Sequence, residues 1–192
     1  MNIKQEQELI IRKPALLMVL LVGVGVNLAG FYLVDIFGLP LFLDSIGTFL
    51  SAVVLGPWFG AACGLFSNLL LGLINNPVMI PFALVNIVLG FIVGSMSHRY
   101  GFSKPLPFAA IVLASSLVGA ALGTVIAVFV FGGISGSIID ALVAGLLAGG
   151  REIFSAAFLV RLPINILDKL ISALLVLGAI RLIPGSWKDH LE

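Results

Sequence analysis

Runs of about twenty residues without charge recur along this 192-residue chain. A run of that length is what one helix needs to cross the hydrocarbon of a bilayer, so the runs constrain the fold more than any motif does. Only 10% of the residues are charged and 60% are hydrophobic, against roughly 25% charged in a soluble domain. The chain is therefore read as an integral membrane protein. A soluble enzyme and a disordered tail are excluded. A net charge of +1 gives no grip on a polyanion, which excludes a nucleic-acid binder.

Breaks in the apolar runs define six spans. The first runs from about Pro14 to Phe37, behind Arg12 and Lys13, and Gly38-Leu39-Pro40 ends it. The second begins near Pro40 and ends at Gly56-Pro57, which makes it short. The third runs from Pro57 to about Ile74, before the Asn75-Asn76-Pro77 turn signal. The fourth covers about Val78 to Ser97 and the fifth about Pro107 to Phe131, joined by a polar stretch from His98 to Pro105. The last runs from about Pro163 to Ile183 and closes at Pro184-Gly185. Between the fifth and sixth, residues 132–162 hold two apolar stretches of about eleven residues, split by Gly149-Gly150-Arg151-Glu152. Fused into one span they would set two charges near mid-membrane, at a cost of at least ~2.5 kcal/mol each. They are predicted as two short helices on one face.

The expected fold is thus all-α with six transmembrane helices in a single membrane domain, 1–192. Residues 1–13 form a polar N-terminal segment without the features of a cleavable signal peptide. Six spans place Lys4, Arg12, Lys13, Arg99, Lys104, Arg181 and Lys188 on one side, and Arg151, Arg161 and Lys169 on the other. The positive-inside rule then makes both termini cytoplasmic and puts 132–162 outside, as a lid-like segment.

Polar groups in hydrocarbon need a reason. On this topology they crowd into the outer half. Asp44 and Thr48 share a face of the second span, Ser67 and Asn68 lie on the third, and Asn86 lies on the fourth. Thr124 lies on the fifth, and Asn165, Asp168, Lys169 and Ser172 form a stripe on the sixth. Asn27 sits near the middle of the first. The inner halves are almost purely apolar. Any one amide can serve helix packing alone, but several helices contributing at one depth describe a cavity open to the outside. Substrate-binding candidates are Asp44, Thr48, Asn68, Asn86, Thr124, Asn165, Asp168 and Lys169. Small residues repeat every four positions, as in Gly56-x-x-x-Gly60-x-x-x-Gly64, Gly90-x-x-x-Gly94 and Gly119-x-x-x-Gly123. Most such stripes serve packing within the chain, while Gly23, Gly25 and Ala29 on the first span are candidates for docking a partner.

There is no Walker A loop, HExxH, GxSxG or Cys-x-x-Cys pattern, and Cys63 is the only cysteine. No enzymatic activity, metal or cofactor is expected. If ATP powers the protein, a partner chain hydrolyses it.

Leu43-Asp44-Ser45-Ile46-Gly47-Thr48, the run Leu55 to Gly64, Ile80-Pro81-Phe82-Ala83-Leu84-Val85-Asn86 and Leu167-Asp168-Lys169-Leu170-Ile171-Ser172 resemble the substrate-binding S components of energy-coupling factor (ECF) transporters. The resemblance implies capture of a micronutrient from outside: a vitamin, a vitamin precursor or a nucleoside-like compound. It also implies delivery through a transmembrane coupling subunit and two cytosolic ATPases in the plasma membrane. It places the site on the outer halves of the fourth to sixth spans, at Asn86, Thr124, Asn165, Asp168 and Lys169, with 132–162 as lid. The family's Ala-x-x-x-Ala docking pattern is missing, and Gly25-x-x-x-Ala29 is the nearest match. The competing reading is a membrane sensor domain that signals to a separate partner.

Overall fold

The computed structural model describes residues 3–182. The side chains of Lys4, Arg12 and Lys13, and the segment holding Pro184-Gly185, Lys188 and His190, lie outside the described residues. Among the described residues there are seven helices and no strand. They are α1 (Ile3–Phe37), α2 (Ile46–Leu55), α3 (Pro57–Ile74), α4 (Met79–Tyr100), α5 (Pro105–Phe131), α6 (Asp140–Ala148) and α7 (Ile153–Leu182). Five of the described helices are long and apolar enough to cross a membrane: Leu16–Phe37 within α1, then α3, α4, α5 and α7.

The punctuation explains most boundaries. Pro57 and Pro105 stand at first-turn positions, where a missing N–H costs nothing. Gly132 ends α5 in the left-handed conformation, and its N–H bonds back to the last turn.

Helix α1 already begins at Ile3, ahead of the span expected from Pro14, and α4 and α5 extend to Tyr100 and back to Pro105, shortening the polar link; two further differences change the site. Helix α2 starts at Ile46 rather than near Pro40, so residues 38–45 form an irregular strap, and Asp44 belongs to that strap rather than to a helix face shared with Thr48. The reason is long-range. The Phe42 and Leu43 N–H groups donate to Asp168 Oδ1 on α7, at 3.1 and 2.7 Å, so this backbone has a partner outside any helix. The second difference is α7, which begins at Ile153 and runs through Pro163. The predicted second short helix of 132–162 is instead the first part of this long helix, and only α6 is separate. Arg151 and Glu152 lie exposed at the junction between α6 and α7, so the helix is continuous without burying them.

Helix α2 touches α1, α3, α4 and α7 and so occupies the centre of the bundle. Gly60 on α3 and Gly90 on α4 leave no room for a Cβ: Gly90 lies against the α3 backbone at Gly60 and Ala61, and Gly60 lies against Ala52 of α2 and Gly90 of α4. The regular stripe of small residues is thus used for α3–α4 packing. One half of the bundle is apolar. Phe49, Val53, Leu89, Val93, Phe102, Ile111, Val176 and Ile180 form its buried core. Lipid is as apolar as these side chains, so dispersion from close fit, not escape from water, holds them. Val53 O lies 3.1 Å from His98 Nε2 at the end of α4. The last turn of α2 therefore reaches the same end of the bundle as the last turn of α4.

Candidate ligand-binding cavity

The other half is organised by amides, carboxylates and two cations. They divide into a closed knot and an open cavity.

Asn27 on α1 is fully buried and makes the knot. Its Nδ2 donates to Thr48 Oγ1 and Ser67 Oγ, both at 2.9 Å, and its Oδ1 accepts from Gly47 N at 2.6 Å. One side chain thus ties α1 to α2 and α3. Thr48 belongs to this knot and does not line the cavity.

The cavity has a volume of about 330 Å³, within the usual range for a small-molecule site. The end of α1 contributes Phe31, Val34 and Asp35, and the strap contributes Leu41, Phe42 and Asp44. The α3–α4 turn and α4 add Asn75, Asn76, Met79, Phe82, Val85 and Asn86. Gly119 and Gly123 of α5, Ser135 to Ile138 of the turn before α6, and Arg161, Asn165 and Lys169 of α7 complete the wall. On α7 the three polar residues follow at intervals of four and so share one face. Gly119 has no space for a Cβ because the Asn165 amide lies across it, and Gly123 faces the Arg161 stem. Here the small-residue stripe makes room for polar side chains rather than for a helix.

Each wall is braced from behind. Asn86 Nδ2 donates to Asn68 Oδ1 at 2.6 Å and to Asp44 Oδ2 at 3.2 Å. Asn68 stands outside the lining, and its Nδ2 donates to Met79 O at 3.2 Å. Lys169 Nζ donates to Asp168 Oδ2 at 2.6 Å and to Ser45 Oγ at 2.8 Å. An ammonium has three protons, so one is left for the cavity. Asp168 is also behind the wall; it balances Lys169 and anchors the strap. Asn165 Nδ2 donates to Arg161 O at 2.9 Å. Phe82 and Phe131 stack on each other at 6.0 Å between α4 and α5.

The sequence candidates therefore separate. Asp44, Asn86, Asn165 and Lys169 line the cavity. Asn68 and Asp168 position the residues that line it. Thr48 is part of the Asn27 knot, and Thr124 is buried with no hydrogen-bond partner and does not reach the lining. Gly23 packs against α2 and α3, whereas Gly25 and Ala29 face outward from α1. Sequence reasoning missed Arg161, Ser135 and Asp35 as cavity residues. The four-residue spacing of Arg161, Asn165 and Lys169 is the signal that finds the first of these, once α7 is taken through Pro163. No group of side chains among the described residues forms a metal site.

A cavity with a polar floor and aromatic flanks, at one end of a bundle of apolar helices, defines a membrane-embedded receptor for a small molecule. The sequence model described as ECF-type riboflavin transporter, S component, matches residues 41–183, from the strap through α7, and the chain belongs to this family. Neither the curated proteins nor the solved structures contain a match to it. Membership makes the chain a multi-pass plasma-membrane protein and the substrate-binding subunit of a vitamin transporter rather than an enzyme. It also implies association with a transmembrane coupling component and ATPases.

Proposed function

We propose that the chain captures riboflavin, or a ligand with the same flat polar ring and polyol, from outside the cell, and hands it to a coupling subunit driven by two ATPases. One observation carries this reading: the cavity joins flat apolar surface from Phe31, Phe82, Met79 and Val85 to a polar wall of Asp44, Asn86, Arg161, Asn165 and Lys169. A tricyclic ring with carbonyls and N–H groups along one edge needs both.

The topology that suits this role has six crossings with both termini cytoplasmic. The strap and α2 together make the second crossing, and α6 does not cross. The level shared by Val53 and His98 supports it, since α2 ends where α4 ends. So does the excess of lysine and arginine at that end. Residues 1–192 then form one membrane domain, and the first part of 132–162, up to α6, covers the outer mouth. The outward-facing Gly25 and Ala29 are the positions on α1 where a coupling subunit has close access, while Gly23 is used inside the bundle.

The test is a titration of the purified full-length protein with riboflavin, read by quenching of flavin fluorescence and by calorimetry. Saturable binding at micromolar concentration or below is expected. Binding no tighter than millimolar would sink the reading.

A further inference from the structure

Arg161 lies in the cavity wall at 2% exposure, and its two terminal nitrogens are unequal. Nη2 donates to Ser135 Oγ at 3.3 Å, while Nη1 has no hydrogen-bond partner. Ser135 leads on to Asp140. Asp140 Oδ2 accepts from Ser135 N at 2.7 Å and from Ser137 N at 3.0 Å, and Oδ1 accepts from Ser135 Oγ at 3.4 Å. The Ser135 hydroxyl therefore accepts a hydrogen bond from the guanidinium and donates one to the carboxylate. Asp140 shapes the same turn that covers the cavity through Ser135 to Ile138. A buried guanidinium with an unused donor is costly, and because Arg161 lines the cavity, a small shift of its head brings the enclosed Nη1 to an acceptor there.

The charges around the cavity limit what that acceptor is. Asp140 offsets Arg161 through Ser135, and Asp168 balances Lys169 directly. Asp35 and Asp44 add two more carboxylates to the lining. An anionic ligand group would find no unbalanced cation here, whereas a neutral carbonyl or hydroxyl needs only the donor.

Building on the flavin reading, we propose that Arg161 is a ligand-sensing latch: Nη1 donates to a neutral oxygen of the ligand while Nη2 holds Ser135, so that occupancy tightens the 135–140 turn over the cavity. In this role Arg161 contacts the ligand, and Asp140 positions the turn.

The experiment combines riboflavin titration with hydrogen–deuterium exchange of segment 132–140 in the full-length protein in detergent. In the unsubstituted protein, riboflavin slows exchange across the segment. Arg161→Gln binds riboflavin about 10- to 100-fold more weakly, as expected for loss of a hydrogen bond to a charged group, and shows no slowing even at saturation. Asp140→Ala exchanges fast with or without ligand yet loses only a few-fold in affinity, because Asp140 stands behind the turn and does not line the cavity. Riboflavin phosphorylated on its side chain binds more weakly than riboflavin. Unchanged affinity together with unchanged slowing in Arg161→Gln overturns the latch, and equal affinity for the phosphorylated ligand overturns the choice of a neutral acceptor. If riboflavin does not bind the unsubstituted protein, the flavin reading alone fails. The latch is then judged without ligand: Arg161→Gln must speed exchange at Ser135 and Ser137, and unchanged exchange overturns it. Arg161→Lys keeps the charge but replaces the planar fork by a single nitrogen on a shorter stem, which does not reach both Nη positions, so it gives the same readouts if the Gln variant fails to fold.

Discussion

Two polar clusters sit in the same half of the bundle, and they differ in what is left over. Around Asn27 both atoms of the amide are used, by Thr48, Ser67 and Gly47. Around the cavity, Arg161 Nη1 has no partner and Lys169 has one proton beyond its two bonds. Both clusters hold buried amides and hydroxyls, and the cavity adds carboxylates and two cations, so the shared amides alone do not tell a ligand site from a joint. Saturation does. A saturated polar cluster in a membrane protein joins helices; an unsaturated one that lines a cavity is ready for a ligand.

Substitutions can break this contrast. The largest effect on folding is expected from Asn27→Leu, which orphans the Gly47 N–H and the Thr48 hydroxyl and leaves Ser67 only its bond to Cys63 O, at about 1–3 kcal/mol for each buried unsatisfied group. The thermal midpoint in detergent should fall steeply, while the folded fraction should keep its riboflavin affinity. A selective loss of affinity would show that the knot belongs to the site. Next comes Asp168→Asn, which leaves Lys169 without its counter-charge and weakens the strap's anchor. Losing one partner of a buried pair costs about 3–5 kcal/mol in a soluble core. Both thermal stability and ligand affinity should drop, separating this residue from Asn27. Asn86→Leu removes the brace between Asn68 and Asp44. Its main effect should be on binding, about tenfold by calorimetry, with a smaller change in melting. The smallest effect is expected from Thr124→Val. The hydroxyl has no partner and does not line the cavity, so its removal should raise stability by about 1 kcal/mol and leave affinity unchanged. A tenfold loss of affinity would return Thr124 to the site.

How much of this the sequence carries depends on range. The ends of α3 and the end of α5 are punctuated locally by Pro57, Asn75 and Gly132 and are legible, while the α4–α5 link is legible only to within two or three residues, since its polar residues continue the helices to Tyr100 and from Pro105. So is the division between an apolar half and a polar half, which follows from where the few polar residues fall along the spans. The strap is not legible. Pro40 reads as a first-turn proline, and nothing nearby reveals that the N–H groups of Phe42 and Leu43 are taken by a carboxylate about 125 positions later. Arg161 is hidden for a related reason: Pro163 reads as a helix start, which leaves Arg161 at the end of a separate short helix when it sits on the cavity face of α7. Thr48 and Asn68 sit at the right depth but are turned toward Asn27 and Asn86, and orientation at that scale is set by packing.

The strap has a mechanical consequence. It is covalently tied to α1 and α2, and its middle is pinned to α7 through two N–H bonds to a carboxylate. Such bonds are short, directional and about twice as strong as neutral ones. Where α4 meets α5, the closure is a pair of stacked rings, which tolerate sliding. The rim of the cavity is thus stitched along one edge and merely overlapped along another, and a ligand passing in or out meets less resistance at the overlap than at the seam.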